Sequence, residues 1–272
     1  MSDSFPAFEA VALSVQDGIA RLTLNRPASL NSLNDAMFRE IPLAVGCAAE
    51  AGARALLITG AGRGFCSGAD LVGRALPADA TADQRERANR ASFERVVTLV
   101  RALNEAPMPV VCAINGVAAG GGVGIALSGD VVLMASDARF VLTFVPKLAL
   151  VPDVGATWLM ARMAGRARTM AASVLGDAVS AQDAERWGLV WRLVDPAQLD
   201  AEAMAVCRRL ADGPQKAVVG TRRLVDASPT MPLSSHILLE RDMQAPLLGA
   251  PDWVEGVKAF REKRPPKFGQ GD

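Results

Sequence analysis

Tyrosine is absent from the 272 residues, histidine occurs once, and aromatic residues amount to 5%. The one histidine, His236, falls in a helical stretch far from the glycine-rich motifs described below, so a Ser-His-Asp triad is not expected. The four cysteines, Cys47, Cys66, Cys112 and Cys207, are widely spaced and include no Cys-x-x-Cys pair. Neither a zinc site nor a disulfide framework is signalled, and four reduced thiols in a cytoplasmic protein are expected. Neither sign of charge is in excess: 29 Lys and Arg stand against 29 Asp and Glu. Nucleic-acid-binding chains usually carry a basic excess, so no such partner is expected, although a local basic patch for a phosphate-bearing small ligand stays open. No apolar run approaches the roughly 18 residues of a membrane helix. The opening "MSDSFPAFEAVALSV" lacks the basic start and apolar run of a signal peptide.

What is present is an ordinary globular balance, 50% apolar and 21% charged, with enough chain for one large domain or one domain with an appendage. "VALSVQDGIARLTLN" alternates around Asp17-Gly18 and predicts a hairpin. "NDAMFREIPLAVGCAAEAG" predicts a helix capped by Asn34 or Asp35. "ARALLITG", "MPVVCAIN" and "GDVVLMAS" predict buried strands, and "RALPADATADQRERANR" a mobile loop entering a helix. Strand and helix alternate to about residue 196, which argues for a layered α/β fold. From 197 the pattern is helical only, so the expected division is a core over 1–196 and a helical region over 197–272.

Glycine is concentrated at two strand ends, in "GRGFCSGADL" (62–71) and "AAGGGVGIALSGD" (118–130). A strand leading into a helix leaves backbone N–H groups unpaired, and glycine lets a ligand approach them. Such amides suit either a phosphate or an oxygen that becomes negative during a reaction. No Gly-Lys-Ser/Thr follows the second run, and the GxGxxG spacing fails at Phe65, so the phosphate reading is the weaker. Two strand-end turns in one layered domain can set two donors around one point, a geometry fitted to a carbonyl becoming an enolate.

Four stretches together resemble the crotonase superfamily, the enoyl-CoA hydratase/isomerase family: "LNRPASLNSL" (24–33), "GRGFCSGADL", "INGVAAGGGVGIALSGDVVLMAS" and "AERWGLVWRLVD" (184–195). The resemblance implies a spiral of ββα-type units followed by C-terminal helices used for trimerisation, with hexamers common. It implies acyl-CoA thioester substrates and no cofactor beyond the coenzyme A that the substrate carries. It makes the N–H groups of Ala69 and Gly121 the oxyanion-hole donors, flanked by Ser67, Gly68 and Gly120. It puts backbone around Ala28 and from Ala69 to Val72 against coenzyme A, with Asp70 and Leu71 near the adenine. Arg26 and Arg63 become candidate phosphate partners. A basic residue often follows the proline of the first motif; here Ala28 offers no such side chain. Phe260 and Lys263 resemble a C-terminal Phe-x-x-Lys feature that reaches coenzyme A in the family, sometimes across subunits.

Hydratases of the family carry a glutamate three residues beyond the oxyanion-hole glycine. Here that position is Gly124. The second family glutamate falls in "RFVLTFVPKLALVPD", where the candidate positions hold Phe144, Val145 and Pro146. One acid remains, Asp153, at a position where some family isomerases carry Asp or Glu. A single carboxylate suffices for a 1,3 proton shift, and an apolar wall of Phe140, Val141 and Phe144 would raise its pKa. The alternative for Asp153 is a helix N-cap. The expected activity is thus acyl-CoA isomerisation, of the 3-enoyl to 2-enoyl or ring-rearranging type. A hydratase and a weakly active acyl-CoA-binding paralogue are the alternatives. Gly124→Glu is expected to introduce hydratase activity. Cys66 is read as a packing residue and Asp130 as a structural hydrogen-bonder.

Overall fold

The computed structural model describes residues 5–71 and 80–269. It opens with a hairpin of β1 (Val11–Gln16) and β2 (Ile19–Leu24). Its two-residue turn holds Asp17 at φ 51° and Gly18 at φ 71°, and a turn with positive φ at both centres selects Asp-Gly. Helix α1 (Asp35–Glu50) is capped by Asn34, whose side chain accepts the Met37 N–H at 3.0 Å. Then come β3 (Ala55–Gly60), β4 (Gly64–Cys66) and α2 (Ala82–Asn104), which starts at a Thr81/Gln84 capping box. Most of the expected mobile loop, residues 74–79, lies outside the described residues.

The chain continues through β5 (Val110–Ile114), β6 (Val117–Ala119), α3 (Gly121–Leu127), β7 (Val131–Ala135) and β8 (Arg139–Val141). One π-helical turn, Phe144–Leu148, leads towards α4 (Ala156–Leu175). Gly165, at φ 79°, puts a kink inside this helix. Next are β9 (Val179–Ser180), α5 (Ala181–Arg186) and β10 (Arg192–Val194). The final helices are α6 (Leu199–Ala211), α7 (Gln215–Ala227), α8 (Leu233–Gln244) and α9 (Pro251–Glu262).

The strands form two sheets, in the orders β1-β2-β3-β5-β7-β10 and β4-β6-β8-β9. Each of β3-β4-α2, β5-β6-α3 and β7-β8-α4 sends one strand to each sheet and then a helix. This is the expected spiral of ββα units. Apart from the hairpin and the β8–β9 pair, the pairings are parallel. Leu56, Leu57 and Ile58 of β3 and Val110, Val111, Cys112 and Ile114 of β5 are fully buried. Covered on both faces, these strands read as unbroken apolar runs.

Helix α6, the first of the helical region, lies against β2, β3, β5 and β7 and buries Leu199, Ala203, Val206, Cys207 and Ala211. Beyond it, α7 and α8 carry no buried residue and α9 only Ala259. Arg222 of α7 ties these helices to the core. Its guanidinium grips both carboxylate oxygens of Asp130 at 2.6 Å and donates to the carbonyls of Asn104, Ala106 and Met108. Asp130 in turn accepts the Val110 N–H at 2.7 Å. Among the described residues no helix is long and apolar enough to cross a membrane.

Candidate active site

Strands β4 and β6 are parallel neighbours, with Cys66 beside Ala118. Their exits therefore point the same way, and the turns that follow meet. Gly68 and Gly120 both have positive φ, 88° and 53°. A β-carbon on Gly68 would lie 2.8 Å from the Ala119 oxygen and 3.3 Å from the Gly120 Cα. Only glycine permits both the φ and this approach. Ala69 forms a parallel bridge with Leu33, made by Leu33 N–H to Gly68 O and Asp70 N–H to Leu33 O, at 2.8 and 3.0 Å. In a parallel bridge the flanking residues do the bonding, so the N–H of Ala69 itself faces away from Leu33. Gly121 opens α3, where the N–H groups have no intrahelical acceptor. Two amides on touching turns are thus left for a ligand.

Asp153 stands beside them. Its Oδ1 is 3.5 Å from where a Gly121 β-carbon would sit, with Leu33 Cδ1 at 3.2 Å and Val154 Cγ2 at 2.8 Å from the same point. Phe144 is buried, and its ring edge is 3.6 Å from the β-carbon position of Gly120. The carboxyl group therefore lies beside the first turn of α3, where Leu33 and Val154 also pack. The N-cap of α4 falls on Gly155, which has no side chain, while the Asp153 backbone oxygen accepts the Ala156 N–H at 3.0 Å. Val154, buried and β-branched, is held at φ 52°, a conformation that costs about 1–3 kcal/mol and concentrates at functional sites. It turns the Val154 backbone onto Gly124: a β-carbon there would collide with the Val154 carbonyl, its carbon being 2.8 Å away. Gly124 thus packs against the loop carrying Asp153, and no side chain fits at that position.

Around this centre the first motif makes a second layer. Arg26 donates to the Ser32 oxygen and hydroxyl at 2.6 and 2.9 Å and pairs with Asp70 at 3.0 Å. Its guanidinium is engaged inside the protein. Ser67 donates its hydroxyl to the Ser29 carbonyl at 2.9 Å. Ala28, Arg63 and Leu71 are exposed, and Val72 lies outside the described residues. Phe260 and Lys263 are elsewhere. Phe260, 86% exposed, lines an apolar cavity of about 530 Å³ with Pro214, Trp253, Val257 and Phe268, and Lys263 ends α9 at φ 53°. Within one chain, neither joins the residues around Gly121.

Cys66 packs behind the site, its Sγ 3.0 Å from the β-carbon position of Gly122. Burial pushes its thiol up to about 12, so it is an inert filler there. Two residues escaped the sequence reading. Val154 gives no sequence signal, since nothing in its side chain announces a left-handed backbone. Asn31 was visible only as part of its motif. Its fully buried side chain accepts from Arg26 N–H and faces the carbonyls of Ala61, Gly64 and Phe65.

Two parallel strand exits carrying glycine turns, inside a ββα spiral, define the class. The sequence matches the profile of the Enoyl-CoA hydratase/isomerase family over residues 14–271. The chain belongs to that family, within the crotonase superfamily, and so to the CoA-thioester hydratases and isomerases. It is 42% identical to the 1,2-epoxyphenylacetyl-CoA isomerase of Escherichia coli K12 over 96% of this chain and 98% of that one. It is 36% identical to a probable enoyl-CoA hydratase of Rhodobacter capsulatus, over 96% and 98%. The crystal structure of an enoyl-CoA hydratase from Bacillus anthracis superimposes with a TM-score of 0.87 at 29% identity, covering 97% of this chain and all (100%) of that one.

Proposed function

We propose that this protein isomerises acyl-CoA thioesters, with Asp153 as the single proton carrier. The observation that carries the reading is the Asp153 carboxylate, 3.5 Å from the β-carbon position of Gly121, in a site whose hydratase positions hold Gly124, Phe144, Val145 and Pro146. In this mechanism the thioester oxygen accepts from the Ala69 and Gly121 amides. Asp153 removes a proton from the α-carbon, the negative charge collects on that oxygen, and the same carboxyl returns the proton at the γ-carbon. The shift is redox-neutral and calls for no electron carrier; coenzyme A arrives with the substrate. The 42% identity to an epoxyphenylacetyl-CoA isomerase supports this reading, and a ring-rearranging reaction can use the same enolate-stabilising pair. Hydration needs a second acid/base group to activate water, and no side chain can be accommodated at Gly124.

Assembly into trimers or hexamers belongs to the same proposal. Leu233 (73% exposed), Ile237, Leu238, Val254 and Phe260 leave apolar surface on α8 and α9 that a single chain does not cover. Four free thiols support a cytoplasmic location.

The test gives the purified protein a 3-enoyl-CoA and, separately, a 2-enoyl-CoA in water. Conjugation of the first without hydration of the second is expected. Rapid hydration that survives Asp153→Ala overturns the proposal in favour of the hydratase. Tight binding of several acyl-CoA thioesters without turnover makes the protein a binding paralogue.

A further inference from the structure

Asn31 has no access to any substrate. Its side chain is fully buried, yet it reaches three carbonyls that lie 30, 33 and 34 residues away in the chain. Its Oδ1 accepts the Arg26 N–H at 2.8 Å. Its NH2 group faces three carbonyls, Ala61, Gly64 and Phe65, at 3.0, 2.9 and 3.1 Å, and shares its two protons among them. These carbonyls belong to β4 and the loop that leads into it. Gly60 makes room: a β-carbon there would be 2.8 Å from the Asn31 nitrogen.

The backbone on either side of Asn31 holds the other end of the same segment. Leu30 accepts the Ser67 N–H at 2.9 Å, and Leu33 bonds Gly68 and Asp70. Leu30 and Asn31 are both left-handed, at φ 52° and 59°. That pair of conformations throws the Asn31 side chain inward while the backbone runs on to meet residues 67–70. Asparagine is among the few side chains that adopt this φ readily. The stretch 61–70 is therefore clamped at its start by the Asn31 amide and at its end by the neighbours of Asn31. Between the clamps the chain has little freedom, and the direction of the Ala69 N–H is set.

We infer that Asn31 is a positioning residue that aims the Ala69 N–H at the thioester oxygen. This rests on the oxyanion reading of Ala69 and Gly121. It makes Asn31 act on the charge that develops during reaction, with little effect on ground-state binding, because the amide matters most when that oxygen is negative.

Two variants separate the side chain from the backbone. Asn31→Gly keeps the left-handed φ and removes the amide. Asn31→Asp keeps the shape and the acceptor for Arg26 but presents no donor to the three carbonyls. The probe is hexanoyl-CoA carrying ¹³C at the thioester carbonyl, bound to the full-length protein. Two quantities are read: the carbonyl stretching frequency, which falls when donors polarise the bond, and the rate of α-proton exchange in D₂O.

The wild-type protein is expected to lower the stretch and to catalyse exchange. Both variants are expected to keep Kd within about 3-fold, to return the stretch towards its free value and to lose exchange by about 10-fold or more, a part of the 10²–10³ that loss of a whole donor costs. Wild-type stretch and exchange in folded Asn31→Gly overturn the proposal, because the backbone conformation alone then suffices. If Asn31→Gly does not fold, Asn31→Asp decides by the same readouts. If neither folds, Asn31 serves stability alone and the proposal is overturned. If the wild-type protein binds the probe and leaves the stretch unshifted, the oxyanion reading fails and takes this inference with it.

Discussion

Gly124 and Val154 are in backbone contact: the position where a β-carbon of Gly124 would sit lies 2.8 Å from the Val154 carbonyl carbon and 3.0 Å from its Cβ. On this packing a glutamate at 124 meets the Val154 backbone, and the expected gain of hydratase activity finds no room for its side chain. Gly124→Glu forces the 153–155 loop away from α3 and carries Asp153 with it. It is expected to destabilise by at least the 1–3 kcal/mol typical of overpacking, to abolish isomerase turnover and to hydrate nothing. Denaturant unfolding and a 2-enoyl-CoA hydration assay check this.

Asp153→Asn keeps the shape of the acid and removes its ability to take a proton. The loss of a general base typically costs about 10²–10⁴ in rate. A fall of that size in kcat is expected, with acyl-CoA affinity within a few-fold of wild type. Steady-state kinetics alongside calorimetric binding separates the two.

Arg222→Met removes the grip on Asp130 and three carbonyls. Both side chains are largely buried, 9% and 17% exposed. Stranding a buried partner costs about 3–5 kcal/mol. A loss near that range is expected in urea unfolding, with the C-terminal helices gaining amide hydrogen exchange first.

Thiol chemistry distinguishes the four cysteines. Cys66, Cys112 and Cys207 are buried, and burial raises all three thiols, Cys66 and Cys207 to about 12. Only Cys47 is partly exposed. One fast-reacting thiol per chain is expected with an aromatic disulfide reagent at pH 8, rising to four in denaturant. A fast second thiol lost in Cys66→Ala would contradict the inert role given to Cys66.

On α9, Glu255 bonds Arg264 at 2.6 and 3.0 Å and accepts the Lys267 N–H at 2.8 Å, holding the tail to the helix. These bonds, Arg264 first, lower its carboxyl from 4.5 to about 2. A depressed carboxylate contributes stability that is fully present above its ordinary value and disappears as pH falls through the depressed one. The Tm difference between wild type and Glu255→Gln is therefore expected to be constant above about pH 5 and to shrink towards pH 2. A difference that grows on acidification contradicts the assignment.

Much of the architecture was legible because its signals are local. Asp17-Gly18 dictates its turn, Asn34 its cap, and the apolar runs at 55–60 and 110–114 their burial between two layers. The glycines of 68 and 120–124 announced close backbone approach, and Asp153 stood out as the acid left when the hydratase positions were found empty. What residues touch across the chain was not legible. Nothing in the letters says that Arg26 spends its charge on Asp70, that Phe260 lies among Trp253 and Phe268, or that Val154 turns left-handed onto Gly124. Composition and spacing fix which backbone conformations are cheap. Only the packing of β4 against β6, and of the 153–155 loop against α3, decides which amide, carboxylate and carbonyl share one corner, because those contacts join segments about 50 and about 30 residues apart in the chain.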